Sequence, residues 1–395
     1  MSNLSPRARW AVPVVVGVVV AAAFVAPPLV ASASSEDLPT ITPQQLVTSV
    51  AEAPNAALSG TVVYTAHLGL PSLPLGDVAG ASPVNLLDGS STLRVWTDGA
   101  ERSRAALLGP TSEYSVVRDG PEAWTYSSTD DAVVHYTVSA ADQARLKKLH
   151  EQPAVAGDLP TPAAAAASAL SMIEQFSSVT LDAQSRVAGR DAYTLVVTPK
   201  STTTLVGHVS IAIDAKTKTP LRVQVWDRTS KSPGLEVGFT DVRFGTPSDS
   251  VLSFSPPAGA TSKDVTVPLP AETDQPSATV PEGTTITGTG WDTVVQVAGV
   301  DVAGLLAGNT DALSSVPGSK PAIGSKSGQA LLDEFGADGS DKVRQLDLGT
   351  LFDQIAKPVP EGRLITTKLA SILITDDGRV LVGAVPGATL QADAR

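Results

Sequence analysis

Between Leu58 and Phe254 apolar and polar residues alternate in short runs separated by Gly/Asp turns. Val209, Ile211 and Ile213 alternate with His208, Ser210, Ala212 and Asp214. Beyond a turn at residues 215–219, Leu221, Val223 and Val225 alternate with Arg222, Gln224 and Trp226, and then Leu235, Val237 and Phe239 with Glu236, Gly238 and Thr240. A period of two puts one set on a single face of a sheet and the other set on the opposite face. Three successive runs of this kind read as a β-meander. The set Val209, Ile211, Leu221, Val223, Leu235 and Val237 is therefore expected to form one apolar surface, with Gln224 on the side where a new carboxylate is nearly silent.

The same alternation predicts strands at Leu58–Ala66, Thr92–Thr97, Arg102–Leu108, Glu113–Arg118, Glu122–Ser127 and Val133–Val138, and again from Ser178 through Val242. Asp98-Gly99 and Asp119-Gly120 supply hairpin turns, because Gly tolerates positive φ. Thr42-Pro43-Gln44-Gln45 reads as an N-cap, a proline at the first helical position and a glutamine that reaches back, opening a helix to about Glu52. Ser139 caps a second helix to Leu149. An alanine-rich third, Pro162–Phe176, carries Leu170, Ile173 and Phe176 on one side, and its small residues suit a movable lid. The run from Leu68 to Ser91 is too interrupted for a helix and too apolar for an exposed loop, so its leucines are expected to cover the mouth of a cavity.

The alternation ends at Leu252-Ser253-Phe254-Ser255-Pro256-Pro257, where two prolines stop strand pairing. Thr261–Pro281 reads as a linker. Farther on, Trp291–Leu306 has a helix-compatible face, Leu346–Ile355 is a predicted helix, and Leu364–Thr375 with Val380–Val385 form a hairpin around Asp376-Asp377-Gly378. The expected organisation is residues 1–33 as a signal peptide or anchor, 40–262 as the sheet domain, 263–290 as a linker and 291–395 as a small helix and hairpin unit.

The N-terminus changes the picture. Arg7 and Arg9 precede an uncharged stretch from Trp10 to Ser35, greasiest over Ala11–Ala26, with Pro27-Pro28 and then Ala31-Ser32-Ala33. This is the layout of a secretory signal peptide cleaved near Ser34; a retained anchor is the competing reading, since the uncharged stretch can span a bilayer. Either reading places the body outside the cytoplasm, secreted or tethered.

The chain of 395 residues has a formal charge of −12 and no basic stripe beyond the N-terminus, which argues against a nucleic-acid partner. It has no cysteine, so thiolate chemistry and cysteine-bound zinc are excluded. No Gly-x-Ser-x-Gly, His-Glu-x-x-His or Ser-x-x-Lys motif occurs. Gly324-Ser325-Lys326-Ser327 lacks the glycine spacing of a phosphate loop. His67, His135, His150 and His208 are scattered, and Asp130-Asp131 and Asp376-Asp377 sit at turns, where Asp accepts local backbone hydrogen bonds. Neither a catalytic set nor a cofactor or metal is expected.

Leu93-Arg94-Val95-Trp96 with Asp98-Gly99, Tyr114 to Gly120 leading to Trp124-Thr125-Tyr126-Ser127-Ser128, and Phe239-Thr240-Asp241-Val242 through Phe254 to Ala260 resemble, in their order, the LolA-like group of lipoprotein carriers and RseB/MucB regulators. In particular they resemble exported actinobacterial members. The resemblance covers about residues 40 to 262, and the final hairpin is similar to the C-terminal extension of those members. It implies an α+β fold: a strongly curved, unclosed antiparallel sheet (a half-barrel) with a helical lid, plus the C-terminal unit. It further implies an apolar cavity for a lipid or lipoprotein acyl chain, lined by the six sheet residues above together with Leu170 and Ile173. The alternative it implies is a regulator that contacts a membrane-protein partner. Classical carriers lack both the leucine-rich run and the C-terminal unit.

Overall fold

A computed structural model of the chain describes residues 38–70, 89–139, 162–267, 283–306 and 348–395. The predicted signal or anchor segment lies outside these residues, as do most of the leucine-rich run and the helix expected after Ser139. The first helix, α1 (Pro43–Glu52), starts as its sequence requires: the Gln45 amide donates to Thr42 Oγ1 at 3.2 Å and the Thr42 amide to Gln45 Oε1 at 2.8 Å. Two otherwise orphaned N–H groups are thereby satisfied.

Twelve strands form one open, mostly antiparallel sheet. β1 (Leu58–Ala66) lies inside it, between β2 (Gly89–Thr97) and β11 (Leu235–Phe244). On the β2 side follow β3 (Arg102–Leu108), β4 (Glu113–Asp119), β5 (Glu122–Ser127) and β6 (Ala132–Val138). On the other side follow β10 (Pro220–Asp227), β9 (Val206–Asp214), β8 (Arg190–Pro199) and β7 (Ser177–Val187), the last entered directly from α2 (Pro162–Phe176). Gly99 and Gly120 take φ of +78° and +59° in the tight turns predicted for them.

The proline pair does not end the sheet. The chain leaves β11, makes the short helix α3 (Asp249–Leu252) against β2, β3 and β4, and re-enters as β12 (Thr261–Val267), which pairs parallel with β6 from Thr261 opposite Ala132 to Val267 opposite Val138. Leu252 is fully buried under this crossing, and Phe254 lies 6.0 Å from the Trp124 ring and 6.4 Å from Tyr126. Prolines forbid pairing only where they stand, so the chain pairs again once past them. β12 and β7 are the two edges, and the sheet is not closed into a barrel.

The C-terminal part is a second sheet and not a lone hairpin. Its order is β13 (Thr284–Thr287), β14 (Val294–Ala298), β18 (Arg379–Gly383), β17 (Ser371–Thr375), β16 (Gly362–Thr366), β15 (Lys357–Val359). The predicted helix at Trp291–Leu306 is instead a single 3₁₀ turn at Gly290–Asp292, then β14, then the short α4 (Val302–Leu306). Val294, Val295 and Val297 are β-branched and suit a strand, and Gly299 (φ +76°) follows its end. A helix at Leu348–Ile355, α5, stands where one was predicted. The terminal helix α6 (Gly387–Asp393) packs Leu390 on Val294, Leu373, Leu381 and Val385. Among the described residues no helix is long and apolar enough to cross a membrane.

Candidate functional site

Register turns the alternating runs into a grid. One rung runs Leu181, Leu195, Ile211, Val223, Val237, Tyr64, and the next runs Val179, Val197, Val209, Val225, Leu235, Ala66, each residue directly opposite the next across six adjacent strands. Directly opposed residues share a face, so both rungs form one apolar surface on β7, β8, β9, β10, β11 and β1. Five of the six sheet residues singled out from sequence lie on it: Val209, Ile211, Val223, Leu235 and Val237.

Leu221 leaves the row. Between Pro220, opposite Ile213, and Arg222, opposite Ala212, the register slips by one residue. This β-bulge re-aims the side chain, and Leu221 packs in a separate cluster with Leu58, Val187, Ala192, Ala212 and Val242. Leu170 is buried and Ile173 half-buried on α2, which lies against α1 and β7; neither belongs to the cluster around Val209 and Val223, where α2 contributes Phe176.

The grid is covered in pieces. α1 sets Leu46, fully buried, with Val47 and Val50 on Tyr193, Leu195 and Ile213. Trp291, in the 3₁₀ turn between β13 and β14 of the second sheet, packs on Val206, Val209, Val223 and Val225, with Phe176, Leu369 and Ala384 around it. Its indole Nε1 donates to Ser177 Oγ at 2.8 Å, a hydrogen bond between two buried groups. Leu68 joins Tyr64, Ala66 and Val237, and its carbonyl accepts from the Lys368 amide at 2.8 Å. The rim of the contact is polar: the Leu205 amide and Thr204 Oγ1 both donate to the Ala384 carbonyl at 2.7 Å, and Asp292 Oδ1 accepts from Ser201 Oγ and Thr203 Oγ1 at 2.7 Å each. Trp291 is the residue that sequence reasoning missed; the lone aromatic after Gly288-Thr289-Gly290 was its one signal. Gly290 (φ +57°) is needed there because a Cβ would stand 2.5 Å from the Phe176 ring.

The opposite face is not simply wet. Gln224 Nε2 donates to Glu236 Oε2 at 3.0 Å, and Glu236 is only 5% exposed. Beside them His208 stacks on Trp226 at 5.3 Å. Burial pushes the His208 pKa below its ordinary value, against a smaller upward pull from Asp182. A carboxylate at position 224 would therefore face the Glu236 carboxylate and not open solvent. His135 is held structurally: it stacks on Trp124 at 4.9 Å, with Nδ1 2.9 Å from Asp264 Oδ1 and Nε2 3.3 Å from Glu122 Oε2. Among the described residues no group of three or more His, Asp or Glu side chains could hold a metal ion.

No protein-family model matches the chain, and no curated protein matches it. Solved structures do. The chain is similar to MucB of Pseudomonas aeruginosa, solved in complex with MucA, at 20% identity and TM-score 0.40, over 89% of this chain and 96% of that one. It is similar to the LolA superfamily protein NE2245 from Nitrosomonas europaea at 12% identity and TM-score 0.22, over 54% and 99%. It is also similar to an outer membrane lipoprotein-sorting protein domain from Vibrio parahaemolyticus at 10% identity and TM-score 0.20, over 52% and 92%.

Proposed function

We propose that this chain is an exported binding protein that takes the acyl chain of a lipid or lipoprotein onto the apolar face of the large sheet, beneath Trp291. The observation that supports the reading is the twelve-residue apolar grid, closed by separate pieces: α1, Phe176, Leu68, and Trp291 with Leu369. In this reading the sheet is a bent half-barrel plugged by α1 and α2. Val209, Ile211, Val223, Leu235 and Val237 line the cavity, Leu170 and Ile173 stand at its rim, and Leu221 lies outside it.

Burying a methylene contributes about 0.8 kcal/mol, so ten contribute about 8. Lifting Trp291 off the face costs about 3 kcal/mol, and its bond to Ser177 and the polar contacts at Ala384 and Asp292 add about 1 kcal/mol each, so a chain of about ten methylenes is the length at which insertion competes. Tryptophan fluorescence tests this directly. Trp96, Trp124 and Trp226 project from the other face of the sheet by register, and Trp291 alone among the described tryptophans packs on the grid. A fatty acid brominated along its chain is expected to quench Trp291, and Trp291→Phe to abolish most of that quenching. Quenching that survives Trp291→Phe places the ligand elsewhere and sinks the reading, as does the absence of both quenching and co-purified lipid.

A second reading is a regulator that passes ligand binding to a membrane-protein partner. It is favoured by one feature: Trp291 belongs to the second sheet, so whatever enters beneath it must shift that sheet. Capture of a membrane protein that depends on added acyl ligand would select this reading over simple carriage.

A further inference from the structure

An open crevice of about 590 Å³ lies at the end of the large sheet away from Trp291, between the extended run 38–41 and the turns that follow β7 and β9. We propose that it binds a phosphate-bearing anion, the chemistry shared by a phospholipid headgroup and a soluble phosphate ester.

The charge inventory carries the argument. Arg186, Arg190, Lys216 and Lys218 line the crevice against Asp191 and Asp214. Asp214 is 1% exposed and its fork with Arg190 (2.7 and 3.0 Å) cancels one pair. That leaves three cations facing one carboxylate, with Asp191 4.0 Å from Arg186, in a chain whose formal charge is −12. A local excess of positive charge against so negative a background concentrates anions at this place. Lys216 is exposed, and no ion pair of its ammonium occurs among the described residues.

The walls are held in place. Gln184 grips Leu38 twice, accepting from its amide and donating to its carbonyl at 3.0 Å each, and Tyr193 OH donates to the Pro39 carbonyl at 3.0 Å. Lys218 Nζ stands 5.2 Å over the Tyr193 ring and donates to the Ala215 carbonyl at 2.6 Å. Of the three described non-glycine residues with positive φ, Lys218 (+60°) belongs to one crevice turn and Ala188 (+50°) to the other. Such backbone is costly for side chains with a Cβ, so both turns hold a defined, slightly strained shape around the cationic mouth.

The site is independent of the acyl reading and is tested separately. The exported chain, purified from the fraction in which it accumulates, is titrated calorimetrically with glycerol phosphate and inorganic phosphate. It is also floated with phosphatidylglycerol and phosphatidylcholine vesicles. A charge near a membrane surface is worth about fivefold in affinity, so Arg186→Gln and Lys216→Gln are each expected to weaken binding about fivefold and together about 25-fold. Lys231→Gln, in the turn at the other end of β10 and outside the crevice lining, serves as the control and is expected to change nothing. Binding to phosphatidylglycerol vesicles alone assigns the phosphate to a lipid headgroup; competition by glycerol phosphate at matched affinity assigns it to a soluble ester. No binding of any of the four probes overturns the site, as does a loss with Lys231→Gln equal to that with Lys216→Gln.

Discussion

Arg190 forks onto Asp214, with Nε donating to Oδ1 at 2.7 Å and Nη2 to Oδ2 at 3.0 Å, while the amides of Lys216 and Thr217 and the Thr217 hydroxyl also donate to Oδ2. Burial by itself would raise the Asp214 pKa; the donors of Arg190 and Thr217 outweigh it and hold the carboxyl below its ordinary value. A depressed folded-state pKa means stability that is fully present above the unfolded value and lost as pH falls through the folded one. Asp214→Asn is expected to cost about 3 kcal/mol at pH 7, the lower end for a broken buried pair because the guanidinium is partly exposed. In urea titrations the gap between wild type and variant should narrow steadily below about pH 4. A gap unchanged down to pH 2 would show that the carboxylate's charge is not what stabilises this turn.

The grid makes a sharper demand on neighbouring residues. Val223 is fully buried between Ile211 and Val237, so Val223→Asp is expected to cost several kcal/mol. Gln224→Asp sets a second carboxylate against buried Glu236 and is expected to cost about 1 to 3 kcal/mol. Adding Glu236→Gln to Gln224→Asp should recover most of that loss. Chemical denaturation of the four chains measures it, and a Gln224→Asp protein as stable as wild type would mean that Glu236 is wet.

These two positions also show how far the sequence reaches. A period of two is a local property, so strand existence and the face of Val223 could be read directly. What lies against a face is not local: Gln224 looked solvent-facing because nothing in its run announces Glu236 on the next strand. The bulge at Leu221 arises from pairing with Ala212 and Ile213, and a bulge leaves no mark on the alternation of its own strand. The parallel return of β12 was hidden for the same reason, because Pro256 and Pro257 say where pairing stops and not where it resumes. The helix expected at Trp291 follows from apolar residues at 291, 294, 295 and 298, which stand at helical spacing, whereas the β-branched Val294, Val295 and Val297 carry the strand.

Gly60 is an inner-strand residue whose missing side chain is required. A Cβ there would stand 2.5 Å from the Asp241 carbonyl and 2.7 Å from the Phe239 ring, beside the irregularity at Thr61 and Val62 where β11 carries an extra residue. Backbone cannot yield as a flexible side chain can, so Gly60→Ala is expected to cost about 1 to 3 kcal/mol. Thermal melts should show the loss, and an unchanged Tm would mean that the bulge relaxes freely.

Asp227 offers the cleanest pH signature. Its Oδ1 accepts from the Thr229 amide and hydroxyl and from the Ser230 amide, each at 2.8 Å, closing the turn after β10. Burial pushes the carboxyl up, and the donors of Ser230 and Thr229 pull it down further, to about 2. The sign follows as for Asp214: the contribution is present above about pH 4 and disappears toward pH 2. Asp227→Ala should destabilise at pH 7 and converge on wild type near pH 2.

Trp291 is the largest single side chain in the cover. Trp291→Phe keeps an aromatic ring on Val209 and Val225 but leaves the Ser177 hydroxyl, 1% exposed, without its indole donor, which costs about 1 to 3 kcal/mol. Trp291→Ala removes the ring as well and should cost about 3 to 5 kcal/mol. If Trp291 covers the grid, the two variants differ in where they loosen as well as by how much. Amide exchange should rise in β9 and β10 of Trp291→Ala while β3, β4 and β5 stay protected, since those strands pack under Leu252 and Phe254 and not under the second sheet. A uniform rise across all strands would mean that Trp291 only stabilises the fold globally. No rise in β9 and β10 would mean that the grid is closed by something other than this residue.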